Sequence, residues 1–227
     1  MSKRVMVLFS GGIDSTTCLT KAIKENGNNN VMALTLLYGQ KHAKEIESAK
    51  AISEYYDINL IIEDITQVFR FDKKCTLLKG NSEVQLAPYQ IQSEQKQNKP
   101  IDTYVPFRNG LMLSYATAIA LSLDYELIYY GAHADDLSYP DCSEQFNFHM
   151  QQAIKIGTGD KITLEAPFVS LEKQDVIRYG IKNNTPYHLT WSCYTGNLKP
   201  CGKCPSCLTR VDAFAKNNVA DPIDYDI

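Results

Sequence analysis

No apolar run in this chain of 227 residues is long enough to span a bilayer, and the one near its start, residues 5–9, is too short for the core of a secretion signal. The expected setting is therefore the cytoplasm, with no membrane partner. No run of five like charges occurs and the formal net charge is −3, so neither a strong nucleic-acid footprint nor a basic membrane face is called for. Small-molecule partners fit better. Internal repeats and clear linkers are also missing, and at this length one good-sized α/β domain with a small appendage accounts for the chain. Finally, no lysine stands between Arg4 and Lys21. That removes the Walker A pattern, G-x-x-x-x-G-K-[ST], for the glycines in between, and the γ-phosphate is not an obvious reacting group.

What stands there instead is Ser10-Gly11-Gly12-Ile13-Asp14-Ser15, directly behind the apolar run Val5-Met6-Val7-Leu8-Phe9. Two glycines let the backbone turn sharply and bring its N–H groups to an anion, and Ser15-Thr16-Thr17 opens a helix whose N-terminus favours negative charge. A buried strand is thus joined to a phosphate-binding turn. The plain alternative is a Gly-rich turn in which Asp14 or Ser15 caps a helix.

Seven cysteines in a reducing compartment do not read as disulfides. Cys193, Cys201, Cys204 and Cys207 form C-x7-C-x2-C-x2-C, a spacing that turns four thiolates onto one ion. Four sulfurs with no open position make a closed, structural zinc site. An iron–sulfur cluster and free thiols are the competing readings. Cys18 reads as a small core residue, Cys75 falls in irregular sequence, and Cys142 either borders a pocket or packs.

Strand and helix patterns alternate along the chain, as they do around a parallel sheet with crossover helices. Strands are expected over 4–9, 31–37, 59–62, 126–130 and 162–166, and helices over 15–25, 41–56, 111–123, 145–156, 173–182 and 208–216. The fold class is α/β, a Rossmann-like parallel sheet with helices on both faces and a C-terminal zinc-binding segment. We divide it at residues 1–188 and 189–227. The polar stretch 71–102 shows little periodicity and reads as a mobile excursion over the site that orders with ligand, or as disorder.

Ligands of open α/β sheets bind at the carboxyl ends of the strands, and the polar motifs fall there. Tyr38 and Gln40, in Tyr38-Gly39-Gln40-Lys41-His42 after the second strand, can pack against a nucleotide base. Arg108 and Asn109, in Val105-Pro106-Phe107-Arg108-Asn109, offer a guanidinium for phosphate or carboxylate oxygens. After the fourth strand come Asp135 and Asp136, then Tyr139-Pro140-Asp141-Cys142, a carboxylate-rich loop suited to Mg²⁺ or to the donor edge of a guanine-like ring. Each has a plain reading as a surface ion pair or solvated turn. His133 is either a hydrogen-bond donor or a base, and His149 and His188 read as structural.

The S-G-G-x-D-S loop resembles the pyrophosphate loop of the N-type ATP pyrophosphatases. Together with V-P-x-R-N, Tyr-Pro-Asp-Cys, and Thr190-Trp191-Ser192-Cys193-Tyr194 leading into the last three cysteines, it is similar to the QueC family of 7-cyano-7-deazaguanine synthases over nearly the whole chain. The resemblance implies an AMP-forming ligase with a fold of the adenine nucleotide alpha hydrolase type. Its substrates would be ATP with Mg²⁺, 7-carboxy-7-deazaguanine and ammonia, on the route to queuosine and archaeosine. It further implies structural zinc and a homodimer. Carried onto this chain, Ser10, Gly11, Gly12, Ser15, Thr16, Tyr38 and Gln40 would hold ATP, with Mg²⁺ near Asp14. Asp14, Arg108 and Lys173 would be catalytic, the two cations neutralising leaving pyrophosphate. Arg108, Asn109, Asp136, Tyr139 and Asp141 would bind the acceptor. Two stretches depart from the family's pattern: Phe107 stands where many members carry glycine, and Gly131-Ala-His-Ala-Asp-Asp-Leu-Ser replaces G-x-N-x-x-D-Y-S-G. The altered loop motivates one other reading, a paralogue passing the activated carboxyl to a protein amine; a tRNA-modifying relative and a non-catalytic zinc module are two more.

Overall fold

The computed structural model describes residues 2–41, 44–97, 99–135, 139–195 and 198–226. Among them the elements run β1 (Val5–Leu8), α1 (Ile13–Asn26), β2 (Val31–Leu37), α2 (Lys44–Tyr56), β3 (Asn59–Asp64), α3 (Tyr89–Gln95), α4 (Arg108–Ser122), β4 (Leu127–Tyr129), α5 (Glu144–Gly157), β5 (Thr163–Glu165), α6 (Lys173–Lys182) and α7 (Pro205–Ala215). The strands pair in parallel in the order β3-β2-β1-β4-β5. The expected α/β architecture is what the chain adopts.

Successive strand residues point to opposite faces, so the apolar β1 feeds two cores. Val5 and Val7 pack with Leu19 of α1, Ile52 of α2 and Val176 of α6. Met6 points the other way, towards Leu113 of α4, Ile154 of α5 and Leu164 of β5. Each such side chain is fully or almost fully buried, a contribution of about 1.5–3 kcal/mol apiece. Because β2 and β4 flank β1 on opposite sides, the order reverses there, and the crevice outside the carboxyl ends of β1 and β4 is the natural binding position.

The polar stretch 71–102 is built into the core beside α4. Cys75, Leu77, Leu78 and Val84 are buried with Tyr38 and Met112. The backbone of Lys41 donates to Leu77 O at 2.9 Å and that of Lys79 to Gly39 O at 2.9 Å. It also carries α3, which the sequence pattern did not reveal, because the residue α3 buries is polar: Gln92, 2 % exposed, donates through Nε2 to Ala87 O at 2.7 Å.

Helix α4 begins at Arg108, three residues before the expected start, and its N-cap Phe107 is left-handed at φ 53°. A side chain there is strained where glycine is not. Its ring lies over Gly110, where a Cβ would come within 2.3 Å of it.

The C-terminal part packs on the same body. Ile13, Ile177, Tyr187, Ala213 and Phe214 form one small core, and the Trp191 N–H donates to Gly11 O at 3.0 Å. Arg210 of α7, 1 % exposed, grips Asp221 through Nε at 2.7 Å and Nη2 at 2.8 Å. Its Nη1 also donates to Thr190 Oγ1 at 2.7 Å. The guanidinium therefore ties the chain end to the segment that touches the glycine loop.

Candidate active site

A cavity of about 630 Å³ opens at the β1/β4 crevice. Its floor is the glycine loop. Ser10 N donates to Ser15 Oγ at 3.2 Å, the two serine hydroxyls lie 3.1 Å apart, and Gly12 N donates to Ser10 Oγ at 3.3 Å. Ser10, Gly12, Asp14 and Ser15 all border the space. Gly11 and Thr16, expected with them, do not. Gly11, at φ +80°, is the point where α2 approaches the loop: a Cβ would lie 2.7 Å from Ala49 N and from Glu45 O. Thr16 is fully buried and its hydroxyl turns back to Gly12 O at 2.7 Å, a bond within the helix.

Asp14, in the first turn of α1, meets Lys173 from the start of α6, whose Nζ donates to both carboxylate oxygens. His133 Nε2 stands 3.7 Å from the same carboxylate. Burial works to raise the Asp14 carboxyl, but Lys173 and His133 outweigh it and hold the group below its ordinary value. The Lys173 backbone N–H in turn donates to Asp135 Oδ2 at 2.8 Å, capping α6. Gly131 allows this crowding, since a Cβ there would fall 2.9 Å from the Asp14 carbonyl carbon.

The opposite wall is cationic and aromatic. Arg108 donates through Nη1 to Tyr38 Oη at 3.2 Å and stacks 5.1 Å from the centre of that ring. Burial opposes its charge, yet the Tyr38 hydroxyl and Cys142 thiol beside it keep it firmly cationic. Gln40 accepts the Tyr38 N–H at 2.9 Å and so fixes the turn after β2. Tyr139 donates or accepts at Thr103 Oγ1, 2.7 Å away, and lies roughly parallel to Tyr104. Tyr38, Gln40, Arg108, Asn109, Tyr139 and Lys173 therefore share one cavity.

Asp141, expected on the acceptor side, lies behind the wall. It does not border the cavity but is 4 % exposed, its Oδ2 accepting the Asn109 N–H at 2.8 Å. The carboxylate caps the first turn of α4, holding Asn109, whose Nδ2 donates to Cys142 Sγ at 3.1 Å. Asp136 lies outside the described residues.

Three further residues line the cavity; Tyr89 and Glu45 carried no signal in the sequence, and Tyr194 entered only as part of the motif before the cysteines. Tyr89 of α3 and Tyr194 of the cysteine segment join hydroxyls at 2.7 Å. Glu45, in the first turn of α2, stands beside Arg108; burial pushes its carboxyl up to about 7, against the opposing pull of that guanidinium. An acidic residue in a helix's first turn is so ordinary that only the cavity distinguishes it.

Some distance along the chain, Cys193, Cys201, Cys204 and Cys207 are all buried, with sulfur atoms within 4.8 Å of one another. Backbone N–H groups point at them: Cys201 N to Cys193 Sγ at 3.3 Å, Cys204 N to Cys201 Sγ at 3.3 Å, and Tyr194 N to Cys204 Sγ at 3.5 Å. Such donors stabilise thiolate, the metal-binding form. The four residues could hold a metal ion.

The family model described as "Queuosine biosynthesis protein QueC" matches residues 4–218. A 7-cyano-7-deazaguanine synthase of Caldicellulosiruptor saccharolyticus is 40 % identical over 225 residues, covering 99 % of this chain and 96 % of that protein. The 7-cyano-7-deazaguanine synthase of Thermoplasma volcanium is 38 % identical over 232 residues, covering 99 % and 92 %. Among solved structures, the U34-tRNA thiolase NcsA from Methanococcus maripaludis with its [4Fe-4S] cluster superposes with TM-score 0.51 at 14 % identity, over 95 % of this chain and 67 % of that one. That likeness is one of fold.

Proposed function

Because the chain belongs to the QueC family of queuosine biosynthesis proteins, we propose that it is an AMP-forming ligase that makes 7-cyano-7-deazaguanine from 7-carboxy-7-deazaguanine, ammonia and ATP. The observation that carries this proposal is one cavity with a glycine loop at one end and Arg108, Asn109 and Tyr139 at the other. A carboxylate resists attack because its charge and resonance make it a poor electrophile. Joining it to AMP supplies a leaving group, ammonia then gives the amide, and adenylating the amide oxygen lets that oxygen depart as AMP and leave the nitrile. One adenylating centre serves both steps, so the protein's task is to position groups and stabilise charge.

In this scheme the N–H groups and hydroxyls of Ser10, Gly12 and Ser15 take the phosphates, exchanging the serine–serine bond for phosphate oxygens. Gly11 and Thr16 act behind them. Tyr38 and Gln40 border the nucleotide. Lys173 and Arg108 are the two cations that neutralise departing pyrophosphate, and Asp14, which Lys173 holds, is the carboxylate that would take the Mg²⁺ of Mg-ATP, whose charge would offset that of the phosphates. Asn109 and Tyr139 face the deazaguanine ring, while Asp141 positions Asn109.

The four-cysteine site is proposed to hold a single structural zinc. Sulfurs around one zinc at about 2.3 Å sit about 3.8 Å apart, whereas the thiolates of a cubane cluster bind four separate irons and need a wider ring. The observed spread, within 4.8 Å, favours the single ion. When bound, zinc supplies folding energy and no reacting group. A homodimer rests on the family resemblance alone, and a cytoplasmic setting on the expectation drawn from the sequence. Transfer to a protein amine, which the altered loop after β4 suggested, is not favoured by the relatives, which are named as synthases of the nitrile.

The test is the nucleotide product. With 7-carboxy-7-deazaguanine, ammonium and Mg-ATP the protein should release AMP and pyrophosphate, and Asp14→Asn and Ser15→Ala should reduce that release by about 10²-fold or more with the fold intact. ADP as the product would overturn the assignment.

A further inference from the structure

Ammonia reaches a protein at neutral pH mostly as ammonium, which has no lone pair to attack with. Some group in the cavity must take its proton. The carboxylates that face the space are Asp14, Asp135, Asp212 and Glu45, with the cations Lys173, Arg108 and Arg210, His133, the Cys142 thiol and tyrosine phenols beside them. Asp212 is ion-paired with Lys216 at 2.8 Å, and Arg210 is locked to Asp221. Asp14 is occupied by Lys173, with His133 on the same carboxylate. Asp135 caps α6 through the Lys173 N–H. Lys173 and Arg108 are cations. Glu45 is different: among the described residues its carboxylate makes no hydrogen bond and no ion pair, and it lines the cavity.

We propose that Glu45 is the base that converts bound ammonium into the attacking ammonia, an assignment that rests on the ligase function above. Its place suits the task. The backbone of Glu45 touches the glycine loop at Gly11, so its side chain projects from beside the phosphate site towards the Arg108–Tyr38 pair on the acceptor wall. In the step itself, a Glu45 carboxylate oxygen takes one proton from ammonium. The freed lone pair forms the N–C bond at the adenylated carboxyl carbon, and the C–O bond breaks with its electron pair going to AMP. The surplus proton on the new amide nitrogen passes to solvent. Burial contributes by holding this carboxyl at about 7, near the value at which a base combines availability with driving force.

Hydroxylamine gives the decisive comparison, since it is already an uncharged nucleophile at neutral pH and needs no base. Full-length protein would be supplied with 7-carboxy-7-deazaguanine, Mg-ATP and either ammonium chloride or hydroxylamine, and amide plus nitrile or hydroxamate followed by mass spectrometry. Glu45→Gln should lower ammonium-dependent kcat/KM by about 10²–10⁴-fold, the usual range for a lost general base, while hydroxamate formation stays near the unmutated rate. The ammonium profile of the unmutated protein should rise through about pH 7 and then level; that of Glu45→Gln should keep climbing with free ammonia. Equal losses with both nucleophiles, or an unchanged ammonium rate, would overturn the proposal. Should the variant not fold, the unmutated protein decides: the limb near pH 7 must appear with ammonium and be absent with hydroxylamine. An unmutated protein that releases no AMP at all would instead refute the ligase function, and this assignment with it.

Discussion

Replacing Asp221 by Asn should cost the fold about 3–5 kcal/mol, because it strands a buried cation. Arg210 and Asp221 have side chains only 1 % and 7 % exposed, joined by two parallel bonds at 2.7 and 2.8 Å. Tyr225 Oη donates to the same carboxylate at 2.6 Å. The Asp221→Asn variant keeps the shape but removes the charge, leaving the buried guanidinium without its counter-charge. For a domain of this size each kcal/mol shifts Tm by about 2–4 °C, so Tm should fall by about 6–20 °C. Denaturant unfolding measures the same loss. The single tryptophan is well placed to report it, for Trp191 follows Thr190, which Arg210 holds, and donates through Nε1 to Cys193 O at 2.9 Å. Tryptophan fluorescence should shift together with far-ultraviolet circular dichroism. A variant within about 1 kcal/mol of the parent would refute the claim, since surface pairs are worth no more than that.

Lys173→Met should remove the larger of the two charges that oppose burial at Asp14, leaving His133, and so raise its carboxyl, moving the acid limb of AMP release to higher pH; an unmoved limb would refute the pairing. The lowered Asp14 carboxyl contributes stability above its unfolded value of 3.8 and loses it as pH falls through the lower folded value, so the variant's stability deficit should be full at pH 7 and shrink below about pH 4. Protein isolated without added metal should carry one zinc per chain, and chelation or Cys204→Ser should loosen the C-terminal part and shift Trp191 fluorescence; a visible iron–sulfur absorption band would refute it. Gly180→Ala, which places a Cβ 1.8 Å from the buried Tyr187 hydroxyl, should destabilise by about 1–3 kcal/mol in urea melts, and a neutral result would show that α6 and Tyr187 are not packed as described.

The sheet was legible because its signals are periodic. Val5, Met6 and Val7 alternate between two cores as any buried parallel strand must, and the four cysteines announce a shared ion by spacing alone. Orientation was not legible. Thr16 looked like a phosphate ligand because it follows the glycines, but one residue of helical turn carries it to the buried side. Asp141 looked like an acceptor residue because it sits in a polar loop, yet the unsatisfied N–H groups of α4 claim its carboxylate. Glu45 and Arg210 gave no signal, since a surface acid and a buried one, or a solvated arginine and a locked one, are written with the same letters.

The strand order also sets a timetable for synthesis. Val5 pairs with Val31 on one side but waits for Leu127 on the other. The half-sheet β1-β2-β3 is complete by Asp64, leaving its Met6 and Leu34 face without the helix that covers it until α4 emerges. At about 5–20 residues per second that gap lasts several seconds. During it the growing chain presents a bare apolar sheet edge and face, the moment at which a nascent-chain chaperone would have most to hold. The crevice proposed to receive ATP cannot exist until β4 docks, so on that proposal this chain acquires its binding site late and cannot use nucleotide to help the first half fold.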